Sequence, residues 1–514
     1  MSQRILWADD EIDLLKPHIV FLKNKGYDVA TANNGRDALT MVAEEAFDLI
    51  ILDENMPGLT GLETLSMIKR THPHIPVIMI TKSEEENIMD QAVGSKIADY
   101  LIKPVNPNQI LIAIKKHLHS GQLVAEKASK DYREDFANIS SLINTASTVE
   151  EWQELYRRLV FTEMELSSAN SGMEELLENQ RKEANAEFFK WVRRNYESWM
   201  TDDKARPMMS PRILPDVVFP LLDKGEKVFF IIIDNFRLDQ WQTIRPMLAD
   251  SFDFEEQLYT AILPTATQYA RNAIFSGLMP LQIAKMFPDL WVDEDSEEGK
   301  NINESPLIET LFRRYRRKIS FSYNKINDNQ GGERLLSQFS RLEANDLNVI
   351  VFNFIDMLSH AGTESRMIRE LASSDAAYRS ITESWFRHSS ALEVMRRIAA
   401  KGYKIVLTTD HGTIRVDNPV KVVGDRNTNS NLRYKLGKNL AYNARQVYEI
   451  RTPERFGLPA PNVSTAYIFA APYDFFAYPN NYKYYVHYYA STFQHGGISM
   501  EEMFVPIITL NPKS

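Results

Sequence analysis

The chain has 514 residues, 44% hydrophobic and 25% charged, with a formal net charge of −10 and no cysteine. That length exceeds one ordinary core and predicts two or three globular domains. An acidic balance without a strongly basic block argues against a broad grip on duplex DNA. The lack of cysteine excludes disulfides, thiolate metal sites and a cysteine nucleophile. The opening MSQRILWADDE has no secretory apolar stretch, and no apolar run reaches the roughly 20 residues of a membrane span, so a cytoplasmic protein is expected.

Over residues 1–120, short β-branched runs alternate with amphipathic segments. RILWADD, YDVATAN, FDLIILDE, PVIMITK and DYLIKP read as five strands with helical patterns between them. Such alternation predicts a parallel sheet covered by helices, a (βα)5 unit. Asp9 and Asp10 close the first strand, Asp53 the third (followed by Asn55, Met56, Pro57 and Gly58), Thr81 the fourth and Lys103 the fifth. Three carboxylates converging on one point repel unless a divalent cation joins them, and Mg²⁺ takes one or two carboxylates together with waters and a phosphate.

These residues resemble the receiver domains of two-component systems over essentially all of 1–120. The resemblance implies phosphorylation at Asp53 and Mg²⁺ held by Asp9, Asp10 and the Asn55 backbone carbonyl. Thr81 and Lys103 would contact the phosphoryl group, with Tyr100 as the switch aromatic. One departure is Lys82, where the pattern has a small residue after the threonine.

From residue 121 to 205 no strand pattern is present. Apolar residues fall at helical spacing, and Thr148 with Glu150 and Glu151 marks a helix start. Phe188, Phe189, Trp191, Tyr196 and Trp199 are expected to be core or interface. A helical linker bundle is predicted. Pro207, Pro211, Pro215 and Pro220 then mark a boundary.

The third segment, 206–514, places acidic and imidazole side chains after apolar runs. FFIIID ends at Asp234, VIVFNFID at Asp356, and KIVLTTDH at Asp410 and His411. The ends of parallel strands are where α/β folds hold ligands, and these donor types suit Zn²⁺. Asp356 and His360 are spaced i,i+4, so one helix face can aim both at one point. His495 precedes two glycines that permit close backbone approach. Thr267 follows Pro264 and Thr265 at the start of a helix expected from about Tyr269, where positive potential favours phosphate. Thr265 and Ser276 are rival hydroxyls. Arg237 and Arg271 are candidate phosphate contacts. NNYKYYVHYYAST reads as an alternating strand with one buried face, or else as a stacking surface for bases.

In this order the residues resemble the alkaline phosphatase superfamily, and within it the PglZ group. The resemblance implies one zinc on Asp234, Asp410 and His411, a second on Asp356, His360 and His495, and Thr267 as the nucleophile. Two zincs about 4 Å apart can activate an attacking oxygen and stabilise a leaving one. The succession of receiver, helical linker and alkaline phosphatase-like α/β domain resembles the PorX-type response regulators associated with type IX secretion. That implies a sensor histidine kinase as partner, a sigma factor and a secretion-motor component as further ones, and a homodimer on phosphorylation.

The leading expectation is a dizinc phosphodiesterase acting on nucleotides or oligonucleotides, gated by phosphorylation of Asp53. The alternative is a non-enzymatic adaptor whose metal centre is structural and which binds a sigma factor or secretion component.

Overall fold

The computed structural model describes residues 3–81, 97–118, 120–169, 172–294, 299, 301–424 and 428–513, apart from the side chains of 120–124. Lys82 lies outside the described residues. The chain forms two compact units, one built on residues up to 131 and the other on 132–168 and 172–513. No helix among the described residues is long and apolar enough to cross a membrane.

In the first unit the five expected strands form: β1 (Arg4–Ala8), β2 (Asp28–Ala32), β3 (Leu49–Asp53), β4 (Val77–Thr81) and β5 (Asp99–Ile102). They pair in parallel in the order β2-β1-β3-β4-β5. β3 and β4 are buried along their whole length, because a parallel sheet is covered on both faces. The helix Gly61–Thr71 starts with a capping box between Thr60 and Glu63. A Cβ on Gly61 would sit 2.3 Å from the Asp53 carbonyl oxygen, so glycine is what lets this helix begin against the end of β3.

Three helices follow, Ser120–Thr145, Val149–Ala169 and Glu174–Thr201. Thr148 caps the second: its hydroxyl accepts the Glu151 N–H at 3.3 Å, while Glu151 accepts the Thr148 N–H at 3.1 Å. The aromatic run at the end of the third is buried, as expected. Phe188 packs on Trp152 of the second helix, with ring centroids 5.5 Å apart, and on Phe504 of the next domain at 4.9 Å. The second and third of these helices are thus part of the second unit's core.

The main sheet of that unit contains β6 (Val228–Ile233), β7 (Phe252–Thr260), β8 (Phe321–Ile326), β9 (Leu347–Phe352), β10 (Lys404–Thr408) and, after a long excursion, β18 (Phe504–Pro512). Their order is β7-β18-β10-β6-β9-β8. β10, β6, β9 and β8 run parallel, while β18 is antiparallel to both its neighbours. The excursion pairs β11 (Ile414–Val416) with β17 (Thr492–Gln494) and β12 (Asn418–Lys421) with β16 (Asp474–Ala477). It also forms a small sheet of β13 (Tyr434–Gly437), β15 (Ala466–Ala470) and β14 (Val447–Ile450).

The tyrosine-rich segment differs from its alternating-strand reading. It is a helix, Tyr482–Tyr489, with no buried residue. Tyr484 stacks on Tyr488 and Tyr485 on Tyr489, each pair 5.9 Å between centroids. One-turn spacing lets tyrosines stack along a helix, an arrangement that a period of two cannot produce.

Candidate active site

Three adjacent strands of the main sheet end side by side. Ile233 of β6 pairs with Phe352, the last residue of β9, and Ile232 pairs with Thr408, the last of β10. Side chains just beyond these ends share one crevice at the carboxyl edge of the sheet. Asp234 leaves β6, and Asp410 and His411 leave β10. Asp356 and His360 lie on the helix Phe354–Glu364 that follows β9. His495 follows β17. The ligand atoms of Asp234, Asp410 and His411 all lie within 4.8 Å of one another, as do those of Asp356, His360 and His495.

The first cluster is the floor of the crevice, and all three members are buried. Asp234 Oδ1 and Asp410 Oδ2 have no hydrogen-bond partner among the described residues. They stand 3.9 and 3.8 Å from His411 Nε2. Buried acceptors left without partners cost about 1–3 kcal/mol each. Burial pushes the Asp234 carboxyl well above its usual range against the pull of Arg271, and burial raises Asp410 too. A divalent cation would satisfy both orphaned oxygens and favour both charges. His411 Nδ1 donates to the Gly412 carbonyl at 3.1 Å, which leaves the Nε2 lone pair facing the carboxylates. This donor set fits zinc.

The second cluster lies nearer the mouth, with His360 exposed. Asp356 Oδ2 is 3.4 Å from His360 Nε2, and its Oδ1 is 3.6 Å from His495 Nε2. Burial opposes charge on Asp356, but the His360 hydrogen bond and the facing His495 outweigh it and hold the carboxyl below its usual range. Burial and then the adjoining His411 push His495 down to about 3, so its ring is neutral, the form that ligates metals. His495 Nδ1 donates to the Thr265 carbonyl at 3.3 Å. The His411 and His495 rings stack at 4.3 Å, which sets the two clusters side by side.

Thr267 opens the helix Thr267–Ser276, two residues earlier than its sequence pattern indicates. Its hydroxyl is 3.1 Å from His411 Nε2. The rival hydroxyls are engaged elsewhere: Thr265 donates to the Gly497 carbonyl at 2.8 Å and Ser276 to the Asn272 carbonyl at 2.7 Å.

The two arginines expected to meet phosphate are turned away from the mouth. Arg237 is 1% exposed. Its guanidinium forks onto Asp239 at 2.9 and 2.7 Å and reaches Asp375 at 2.7 Å. Arg271 is 2% exposed and binds Asp234 at 2.9 Å and Glu304 at 2.8 Å. A buried guanidinium has to be neutralised where it sits, so both are spent on internal carboxylates. Arg271 braces Asp234 through Oδ2, the oxygen opposite the one that faces His411.

Sequence reasoning missed several supports. Glu304 anchors Arg271, and Thr409 accepts the Phe236 N–H at 3.0 Å while donating to the His411 carbonyl at 2.9 Å. Glu502 accepts from the Gly497 N–H at 2.8 Å and from Arg433 at 2.7 Å. Only the threonine pair before Asp410 offered a signal, as hydroxyls at a strand end suited to bracing a loop. Isolated acids read as surface.

In the first unit Asp9, Asp10 and Asp53 bring their carboxylate oxygens within 4.8 Å of one another. Lys103 Nζ joins Asp53 Oδ1 at 2.7 Å and Asp9 Oδ2 at 2.9 Å. Burial raises the Asp53 pKa, against the Lys103 hydrogen bond. The Thr81 hydroxyl donates to Glu54. Asn55 is exposed beside the acids, and Tyr100 is half-buried on β5.

Comparison with known proteins assigns the three segments separately. The model of the BREX system PglZ alkaline phosphatase-like domain matches residues 213–510, that of the response regulator receiver domain 5–115, and that of the PorX response regulator linker domain 122–200. Among curated relatives, the alginate biosynthesis regulator AlgB of Pseudomonas syringae is 35% identical over 122 residues, 24% of this chain and 27% of AlgB. The transcriptional regulator ZraR of Escherichia coli is 37% identical over 119 residues, 23% of this chain and 27% of ZraR. The chain thus spans about a quarter of the length of these relatives. Among solved structures, the Vibrio cholerae chemotaxis protein CheY4 is 29% identical with a TM-score of 0.22, covering 23% of this chain and 100% of that one. A receiver domain from Clostridium thermocellum is 31% identical with a TM-score of 0.23, covering 24% and 98%.

Proposed function

The chain belongs to the PglZ alkaline phosphatase-like family, in the arrangement of a PorX-type response regulator, and from that premise we propose that its effector is a dizinc phosphodiesterase for nucleotides or oligonucleotides, gated by phosphorylation of Asp53. The observation that carries the reading is the Thr267 hydroxyl at a helix N-terminus, 3.1 Å from His411, beside two clusters of carboxylate and imidazole donors.

Asp234, Asp410 and His411 would hold one zinc, and Asp356, His360 and His495 the other. Bound there, the zincs would supply Lewis acidity for the attacking and leaving oxygens. The chain's own contribution is positional. The first turn of the Thr267 helix presents N–H groups to a phosphate. Thr267 Oγ1 loses its proton to solvent and forms the new bond to phosphorus as the bond to the departing nucleoside oxygen breaks and that oxygen takes up a proton from water. Water then hydrolyses the threonyl ester and restores the hydroxyl. His360 is exposed and Asp356 half-buried, so the second cluster is the one that solvent reaches. In the receiver, Asp53 is the acceptor, Asp9, Asp10 and the Asn55 carbonyl would hold Mg²⁺, and Lys103, Thr81 and Tyr100 respond to the phosphoryl group. A sensor histidine kinase is the phosphodonor this chemistry calls for. A phosphorylation-dependent homodimer and roles with a sigma factor and a secretion-motor component in type IX secretion belong to the same proposal.

The experiment is metal analysis of the purified chain, followed by hydrolysis of bis-p-nitrophenyl phosphate, oligonucleotides and cyclic dinucleotides. Two zincs per chain and turnover of a diester are expected. Zinc-loaded protein inert toward the whole panel would overturn the enzyme reading and leave the adaptor.

A further inference from the structure

The one-turn helix Met500–Met503, five residues after His495, touches the loops that carry His411 and His495. The Gly412 N–H donates to the Glu502 carbonyl at 3.2 Å, and a Cβ on Gly412 would lie 1.9 Å from the Glu501 carbonyl oxygen. That side bears on His411. On the other, Glu502 Oε1 accepts the Gly497 N–H at 2.8 Å, and Thr265 bridges the same loop by donating to the Gly497 carbonyl and accepting the Gly496 N–H at 3.2 Å. That side bears on His495 and on the strand of chain leading to Thr267. Whatever sets this turn therefore sets both histidines.

The turn is gripped from the linker. Asn185, 0% exposed on the helix Glu174–Thr201, accepts the Met500 N–H at 2.9 Å through Oδ1. Through Nδ2 it donates to both Glu501 carboxylate oxygens, at 3.2 and 3.0 Å. Arg181, one turn earlier on the same helix, donates to Glu501 at 2.7 Å and to Asp375 at 2.8 Å. Asp375 in turn holds Arg237. Glu501 is 1% exposed, and a buried carboxylate with its partners removed has to move or take up a proton.

We infer that Asn185 and Arg181 are positioning residues of the metal centre: through the Met500–Met503 turn, the linker holds the His411 and His495 loops in ligating geometry. Neither residue reaches the crevice. Their effect passes through the backbone of Met500 and the carboxylate of Glu501 to Gly412 and Gly497. Outer supports of this kind shift metal affinity by about 10–100-fold. The inference rests on the proposed dizinc reading, since it concerns residues that would orient those ligands.

A control sits on the same helix. Gln180 is buried, but its bonds run to Tyr132, Phe136 and Ser140, within the linker. The test measures Zn²⁺ affinity of the full chain by competition with a chromogenic chelator, together with thermal unfolding, for wild type, Asn185→Ala, Arg181→Gln and Gln180→Ala. Arg181→Gln serves where Asn185→Ala does not fold, because Asn185 still bonds Glu501 in it. Zinc affinity is expected to fall about 10-fold or more in Asn185→Ala, to fall less in Arg181→Gln, and to stay at the wild-type value in Gln180→Ala despite a lower melting temperature. Wild-type affinity in both Asn185→Ala and Arg181→Gln would overturn the inference, as would an equal loss in Gln180→Ala. Wild type that binds no zinc would instead overturn the dizinc reading on which the inference rests.

Discussion

The Thr267 hydroxyl lies 3.1 Å from His411 Nε2, although 144 positions separate the two residues. One opens a helix after β7 and the other lies midway along the loop between β10 and β11, so only the folded chain brings them together. Under the phosphodiesterase reading Thr267→Ala removes the attacking atom and none of the donors. Diester turnover should fall on the order of 10³-fold or more, with zinc content unchanged by elemental analysis. Thr265→Ala should instead act through the His495 loop and weaken metal binding.

Arg271 has no route to solvent and two buried carboxylates to neutralise, Asp234 and Glu304. Arg271→Met leaves Asp234 uncompensated, while Glu304 keeps Lys325 at 3.4 Å and the Tyr323 hydroxyl, and removal of one partner from a buried ion pair costs about 3–5 kcal/mol. The variant should melt at a lower temperature in calorimetry. Added zinc should restore part of that loss, because a cation at Asp234 supplies the missing positive charge.

Gly412→Ala tests the close approach between loops. Its new Cβ would stand 1.9 Å from the Glu501 carbonyl oxygen, and backbone cannot yield as a side-chain tip can. His411 should be displaced, with zinc affinity and turnover lost together. A variant with wild-type chelator competition would show that this loop has slack.

Lys435 is 1% exposed, and burial pushes its ammonium down to about 7 from its ordinary 10.5, against the pull of Glu294. Between about pH 7 and 10.5 the unfolded chain binds a proton that the folded chain does not, so stability from this group rises with pH there. Relative to Lys435→Met, wild type should gain up to about 1.4 kcal/mol per pH unit across that window. Melting curves from pH 7.5 to 9.5 check the sign: a wild-type curve that falls relative to the variant would contradict a neutral buried lysine.

In the receiver, Lys103 already bridges Asp53 and Asp9. Asp53→Asn should take up no phosphoryl group from acetyl phosphate and Mg²⁺ by intact mass, while zinc content stays as in wild type. Diester hydrolysis should respond to the phosphodonor in wild type alone.

The sequence by itself determined the elements and the donors. Five apolar runs, four of them followed by Asp9, Asp53, Thr81 and Lys103, became five parallel strands, because β-branched runs bounded by turn residues have few other ways to be buried. Asp234, Asp410 and His411 come together for the same reason: each follows closely on a strand, and strand ends of a parallel sheet lie on one edge. Three things could not be read there. Arg237 and Arg271 look like phosphate contacts in one dimension, yet burial assigns them to Asp239, Asp375, Asp234 and Glu304, since a guanidinium's partner is chosen by where the chain folds. The tyrosines of 482–489 read as an alternating strand, yet they form a helix in which Tyr484 stacks on Tyr488 and Tyr485 on Tyr489. Above all, only the tertiary structure could place Asn185 of the linker against Met500 and Glu501, because a hydrogen bond across 315 positions leaves no periodic or local trace in the chain.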